Sequence, residues 1–131
     1  VVLKPRTRAP DWSASGNPTR AAKCLPFRPN PRRDPWFDPA QYSDALAVCN
    51  GEADGLVCPM RQQCLEFACI NNESIGIWGG LPPHDRRALR WERKAHLKNP
   101  KTRTTPWEWT WHPPTQQESA DLEAEESPLL A

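Results

Sequence analysis

No apolar run in this 131-residue sequence approaches the roughly 18–20 residues that cross a bilayer as a helix. A membrane-spanning segment is not expected. No apolar stretch of the signal-peptide kind follows the N-terminus either, so a cytoplasmic setting is expected. Apolar residues are scarce, at 37% against roughly 45–50% in ordinary globular domains. Glycines number 6 and prolines 16, so much of the backbone is turn and loop and the core must be small. Charge of one sign is not in excess: 17 Lys and Arg face 16 Asp and Glu, a net +1. That excludes a histone-like blanket and a uniformly acidic chain. There is no Ser/His/Asp order, phosphate-binding loop or carboxylate pair, so neither an enzyme nor a small-molecule substrate is expected. His84, His96 and His112 read as surface residues. Segments of alternating apolar pattern are missing from the central region, which leaves an all-α class.

The balanced total hides strong order. Residues 1–33 carry +7, 34–85 carry −7, 86–103 carry +7 and 104–131 carry −6. Blocks of this kind present separate surfaces to separate partners.

Five cysteines occur, at positions 24, 49, 58, 64 and 69. An odd count without a secretory signal argues against a disulfide framework. Cys69 shares an apolar helix face with Leu65 and Ala68 and reads as core. Four thiolates from Cys24, Cys49, Cys58 and Cys64 form the ligand set of a 4Fe–4S cluster or of a four-cysteine zinc site. Zinc sites usually include a tight C-x2-C knuckle, and none exists here. Downstream, Gly76-Ile77-Trp78-Gly79-Gly80 reads as a tight turn presenting an aromatic, either as core or as an interface anchor.

The four cysteines in this order, the Cys58-Pro59-x4-Cys64-Leu65 step and the Gly-Ile-Trp-Gly-Gly turn together resemble the WhiB-like family of actinobacterial and actinobacteriophage iron–sulfur transcription factors. The resemblance covers about residues 19–97. It implies a small helical domain around a 4Fe–4S cluster held by Cys24, Cys49, Cys58 and Cys64. It implies that Trp78, in its turn of Gly76, Gly79 and Gly80, contacts the C-terminal domain of the primary sigma factor within RNA polymerase. Trp36 and Phe37 are placed at the cluster pocket and the same interface. A basic segment after the turn would contact promoter DNA near the −35 element; here it holds Arg86, Arg87, Arg90, Arg93, Lys94, Lys98, Lys101 and Arg103. The family's usual C-x2-C between the second and third cysteines is C-x8-C in this chain, a departure that leans toward a phage-encoded member. The rival readings are a zinc-binding adaptor and a thiol–disulfide reductase in the cluster-free form.

The expected organisation is a basic disordered arm over residues 1–16, a four-helix iron–sulfur domain over 17–97 and a Trp-rich tail over 98–131 that turns from basic to acidic. Helices are predicted from Asn17 to Cys24, from Asp38-Pro39 to Cys49, from Pro59 to about Ile70 and from His84 to Leu97. Trp107, Trp109 and Trp111 alternate with Glu108 and Thr110, so an extended arm would carry all three indoles on one face. That face either covers a groove on the helices or anchors a second protein.

Overall fold

A computed structural model describes residues 8–27 and 34–115. Three α-helices organise it: α1 over Tyr42–Cys49, α2 over Arg61–Ile70 and α3 over Pro83–Lys98. Short 3-10 turns precede them at Ala14–Gly16, Leu25–Phe27 and Pro39–Gln41. Among the described residues there is no strand, only a single antiparallel bridge between Trp78 and Leu81.

The helix starts follow local chemistry. Asp38 accepts a hydrogen bond from the Ala40 amide, and Pro39 sets the first helical φ for the turn that runs into α1. Tyr42, Ala45 and Cys49 recur at i, i+3 and i+7 and are the buried face of α1. Pro83 opens α3, with Asp85 in the first turn and Lys98 in the last, both matched to the helix dipole.

The core is small and divided. Trp36, Tyr42, Ala45, Cys49 and Ile77 form one cluster. Leu65, Cys69, Leu81, Leu89 and Trp109 form a second. Ala22, Cys58 and Met60 form a third, and Cys24 packs between it and the first.

Three expectations change. The helix predicted from Asn17 to Cys24 is a set of turns, so the described residues hold three helices rather than four. Asn17 closes one turn, its carbonyl accepting from Arg20 and Ala21. The next amides then leave the helical ladder: Ala22 N–H goes to the Trp12 carbonyl and Lys23 N–H to the Cys58 sulfur. Residues 11–16, placed in the disordered arm, form a turn in which the Asp11 carboxylate accepts from Ser13 and Ser15. Those bonds hold the Asp11 carboxyl below its ordinary pKa. The Trp-rich segment folds back as an extended arm. Trp109 is 8% exposed in the second cluster, with Trp107 and Trp111 packed beside it. Gln62 donates to the Trp109 carbonyl, and the Trp111 indole donates to the Gly80 carbonyl. The covering role is the one observed for this arm. The rest of the basic arm, residues 1–7, and the acidic tail, 116–131, lie outside the described residues.

Candidate metal centre

The four cysteines singled out as ligands line one cavity of about 280 Å³. Cys24 comes from the turn before Leu25, Cys49 from the end of α1, Cys58 from the loop end before α2 and Cys64 from the first turn of α2. Cys69 does not line it and sits in the second core cluster.

The C-x8-C spacing does not separate its two cysteines. The Cys58 amide donates to the Cys49 carbonyl at 3.0 Å, which closes the loop at its neck. Between them, Glu52 to Val57 point outward and are exposed. Gly55 N–H bonds back to the Gly51 carbonyl, and Lys23 ties the loop down through Asp54 and the Leu56 carbonyl. Residues 52–57 thus form an outward excursion above a closed neck.

Cys49, Cys58 and Cys64 accept N–H bonds at their sulfurs. The Trp36 indole donates to Cys49 Sγ at 3.2 Å, Gly79 N–H to Cys64 Sγ at 3.1 Å and Lys23 N–H to Cys58 Sγ at 3.5 Å. Burial is the dominant influence on the thiols and pushes Cys49 up to about 11 and Cys64 up to about 12. The donors partly oppose that rise, and the neighbouring cysteines add to it. Cys49 and Cys64, costly to ionise alone yet already provided with N–H donors, suit a site where a cationic centre balances the thiolates. The donor set therefore fits an all-cysteine centre.

The glycine turn forms one wall. Gly79 has φ +60°, and a Cβ there would lie 2.5 Å from the Leu65 backbone nitrogen. Only glycine lets the turn pass flush against α2 and aim its amide at Cys64. Gly76 likewise leaves room for the Phe37 ring, which a Cβ would approach to 2.5 Å. Gly76, Gly79 and Gly80 are all buried, so they shape the turn rather than face a partner.

Trp36 and Phe37 divide their expected roles. Trp36 is 2% exposed and lines the cavity, whereas Phe37 is exposed. Trp78 is half-buried. Its ring packs edge-on against Phe37 and at a tilt against Trp12 and Phe67. Beside this aromatic group, Ile75 is 65% exposed. Sequence reasoning missed Trp12 and Phe67, whose i-to-j separations leave no local signal.

Arg86 corrects the predicted DNA-contacting set. It is 2% exposed, and its guanidinium donates to the carbonyls of Gly76 (2.6 Å), Leu81 (2.7 Å), Glu73 (3.0 Å) and Ile75 (3.3 Å). It clamps both ends of the Trp78 turn and does not face solvent. Burial lowers its pKa to about 10, which still leaves it charged at neutral pH. A signal existed in the helix phase: Arg86 lies three residues before buried Leu89 and four after buried Pro82. Arg87, Arg90 and Arg93 are half-buried, and Lys94, Lys98, Lys101 and Arg103 are exposed.

Comparison with known proteins follows this geometry. The transcriptional regulator WhiB of Streptomyces coelicolor is 51% identical over 47 residues, which are 36% of this chain and 47% of that protein. The transcriptional regulator WhiB1 of Mycobacterium tuberculosis is 39% identical over 59 residues, 45% of this chain and 62% of that protein. WhiB2 of Bifidobacterium longum is 40% identical over 51 residues, 39% of this chain and 46% of that protein. The chain thus spans about half to under two thirds of the length of these relatives. No solved structure matches. The family model of transcription factor WhiB matches residues 12–89, more than half of the sequence and every one of the cavity cysteines. The chain belongs to the WhiB family of transcription factors.

Proposed function

We propose that this protein is an iron–sulfur transcriptional regulator. Cys24, Cys49, Cys58 and Cys64 would hold a 4Fe–4S cluster, which supplies a redox-active, oxidant-sensitive centre when bound. The observation that carries this reading is the convergence of those four thiols, and not Cys69, on one cavity with N–H donors already on the sulfurs of Cys49, Cys58 and Cys64.

The cysteine spacing favours a cluster over zinc, because no tight C-x2-C knuckle of the kind most zinc sites carry occurs among the five cysteines. A thiol–disulfide role is disfavoured too. Burial keeps the Cys49 and Cys64 thiols protonated, the opposite of an activated nucleophile. The relatives are named as transcriptional regulators, in keeping with a role other than catalysis.

The partner surface would be the aromatic group beside the centre, with Trp78 and Phe37 at its middle and Ile75 at its edge. Its occupant on this reading is the C-terminal domain of the primary sigma factor. Half-exposed aromatics on a stiff turn are the residue type and setting of interface hot spots. Promoter DNA would meet the basic side of α3 and the turn after it: Arg87, Arg90, Arg93, Lys94, Lys98, Lys101 and Arg103. The test is anaerobic co-expression with the sigma factor's C-terminal domain. A brown complex should co-purify from the wild type and be lost on Trp78→Ala while that variant alone stays brown. Zinc in place of iron, or a complex indifferent to Trp78, contradicts the reading.

A further inference from the structure

Away from the cysteine cavity, an open groove of about 750 Å³ lies between the end of α2, the second half of α3 and the Trp arm. Its charged lining has one sign, Arg90, Arg93 and Lys94, with no acid. Among the described residues no ion pair neutralises these three. Its apolar lining includes Ile70, Leu97 and Trp107. A polyphosphate backbone would use the cations and leave the apolar surface wet. A peptide that mixes carboxylates with aliphatic side chains uses both.

This chain carries one such segment. Residues 116–131 hold Glu118, Asp121, Glu123, Glu125 and Glu126, no Lys or Arg, and the aliphatic Leu122, Leu129 and Leu130. We propose that the groove is a binding site for an acidic, leucine-containing peptide, and that residues 116–131 of the same chain are its occupant.

Reach and concentration support an intramolecular ligand. The Thr115 amide donates to Asp85 in the first turn of α3 at 3.4 Å. From Asp85 to Arg93 along the helix is about 12 Å at 1.5 Å per residue. An extended chain covers roughly 3.3 Å per residue, so the stretch beginning at Gln116 reaches the groove within its first few residues. A short tether gives an effective concentration of order 1 mM, so a peptide affinity of only about 0.1 mM leaves the groove roughly tenfold more occupied than empty. The groove shares Arg90, Arg93 and Lys94 with the DNA surface proposed above, so tail and DNA compete for the same cations.

The test compares three full-length proteins, purified anaerobically. One is wild type. The second carries Glu118→Gln, Asp121→Asn, Glu123→Gln, Glu125→Gln and Glu126→Gln. The third carries Leu122→Ser, Leu129→Ser and Leu130→Ser. The readouts are the NMR shifts of Trp107 and of the Arg90–Lys94 amides, and affinity for a short duplex of arbitrary sequence. Both variants should move the groove signals in the same direction while Trp36 stays put. Wild-type groove signals should move the same way near 1 M salt, where the Debye length is about 3 Å. The charge-neutralised tail should bind the duplex about tenfold more tightly at low salt. Identical groove signals in all three proteins overturn the proposal. So does an effect of the acid variant alone, which would mean diffuse charge screening. Groove signals that only added duplex shifts, equally in all three, make the groove a DNA seat and likewise overturn it.

Discussion

Arg86 shows how far a residue's role depends on which way its helix faces. Within a run of basic residues it reads as another phosphate contact, yet its two terminal guanidinium nitrogens donate to four backbone carbonyls around the Trp78 turn. Hydrogen bonds to a charged group are worth roughly 1.5–3 kcal/mol each when lost to an unsatisfied partner. Arg86→Ala should therefore destabilise the protein by about 3 kcal/mol or more in urea unfolding. Arg86→Lys should not rescue it, because a lysine cannot span carbonyls on both sides of the turn. A salt dependence of DNA binding that weakens on Arg86→Gln in still-folded protein would return this residue to the DNA surface. Gly79 is constrained as tightly. Gly79→Ala must move the turn off Leu65 and take the amide away from Cys64. The expected outcome is protein that loses its iron faster in air than wild type, measured by bleaching of the visible absorption. Unchanged bleaching would mean that the Gly79 amide does not support the site.

At the scale of elements, the loop between α1 and α2 and the Trp arm make opposite points. The loop puts eight residues between Cys49 and Cys58, yet the Cys58 N–H to Cys49 carbonyl bond holds its neck closed. Removing six of the eight intervening residues, Gly51 to Leu56, should leave iron binding intact and change stability by about 1 kcal/mol or less, given the slow growth of loop entropy with length. Loss of iron from the shortened protein would show that the excursion itself builds the site. The Trp arm lies beyond the matched family region, residues 12–89, yet it completes the second core cluster. Trp109→Ala should cost about 3–5 kcal/mol, the range for a large aromatic removed from a core. A change below 1 kcal/mol in urea unfolding would show that the arm only rests on the surface. Arg61 above the Trp111 ring at 3.9 Å and Arg93 near the Trp109 ring add cation–π contacts to this seam.

For the whole molecule, the positions of the three α-helices and the grouping of four cysteines at one cavity were legible because each rests on local signals: Pro39 and Pro83 at helix starts, periodic apolar residues, and an ordered cysteine pattern. What could not be read depends on side chains meeting across long separations. Asn17 and Pro18 carry a sound helix-start signal, but the amides of Ala22 and Lys23 are taken by Trp12 and Cys58, and the helix is lost to tertiary contacts. Trp12 joins Phe67 and Trp78 at the cavity wall with nothing in its neighbourhood to announce it. The net charge of +1 is likewise a poor guide, since it sums a basic N-terminal stretch and a basic helix against an acidic centre and tail. With a core split into three small clusters, two of which border a cavity lined by thiols, much of the stability should come from what those thiols bind. Removal of the metal centre should reduce the helical far-UV circular dichroism signal; an unchanged spectrum would show a self-sufficient fold.

The most direct measurement is the iron and acid-labile sulfide content of anaerobically purified protein across five single Cys→Ser variants. The account predicts matching iron and sulfide in the wild type and in Cys69→Ser, and loss of both in Cys24→Ser, Cys49→Ser, Cys58→Ser and Cys64→Ser. Zinc without sulfide, or a Cys58→Ser protein that keeps its full iron while Cys69→Ser loses it, would contradict the assignment.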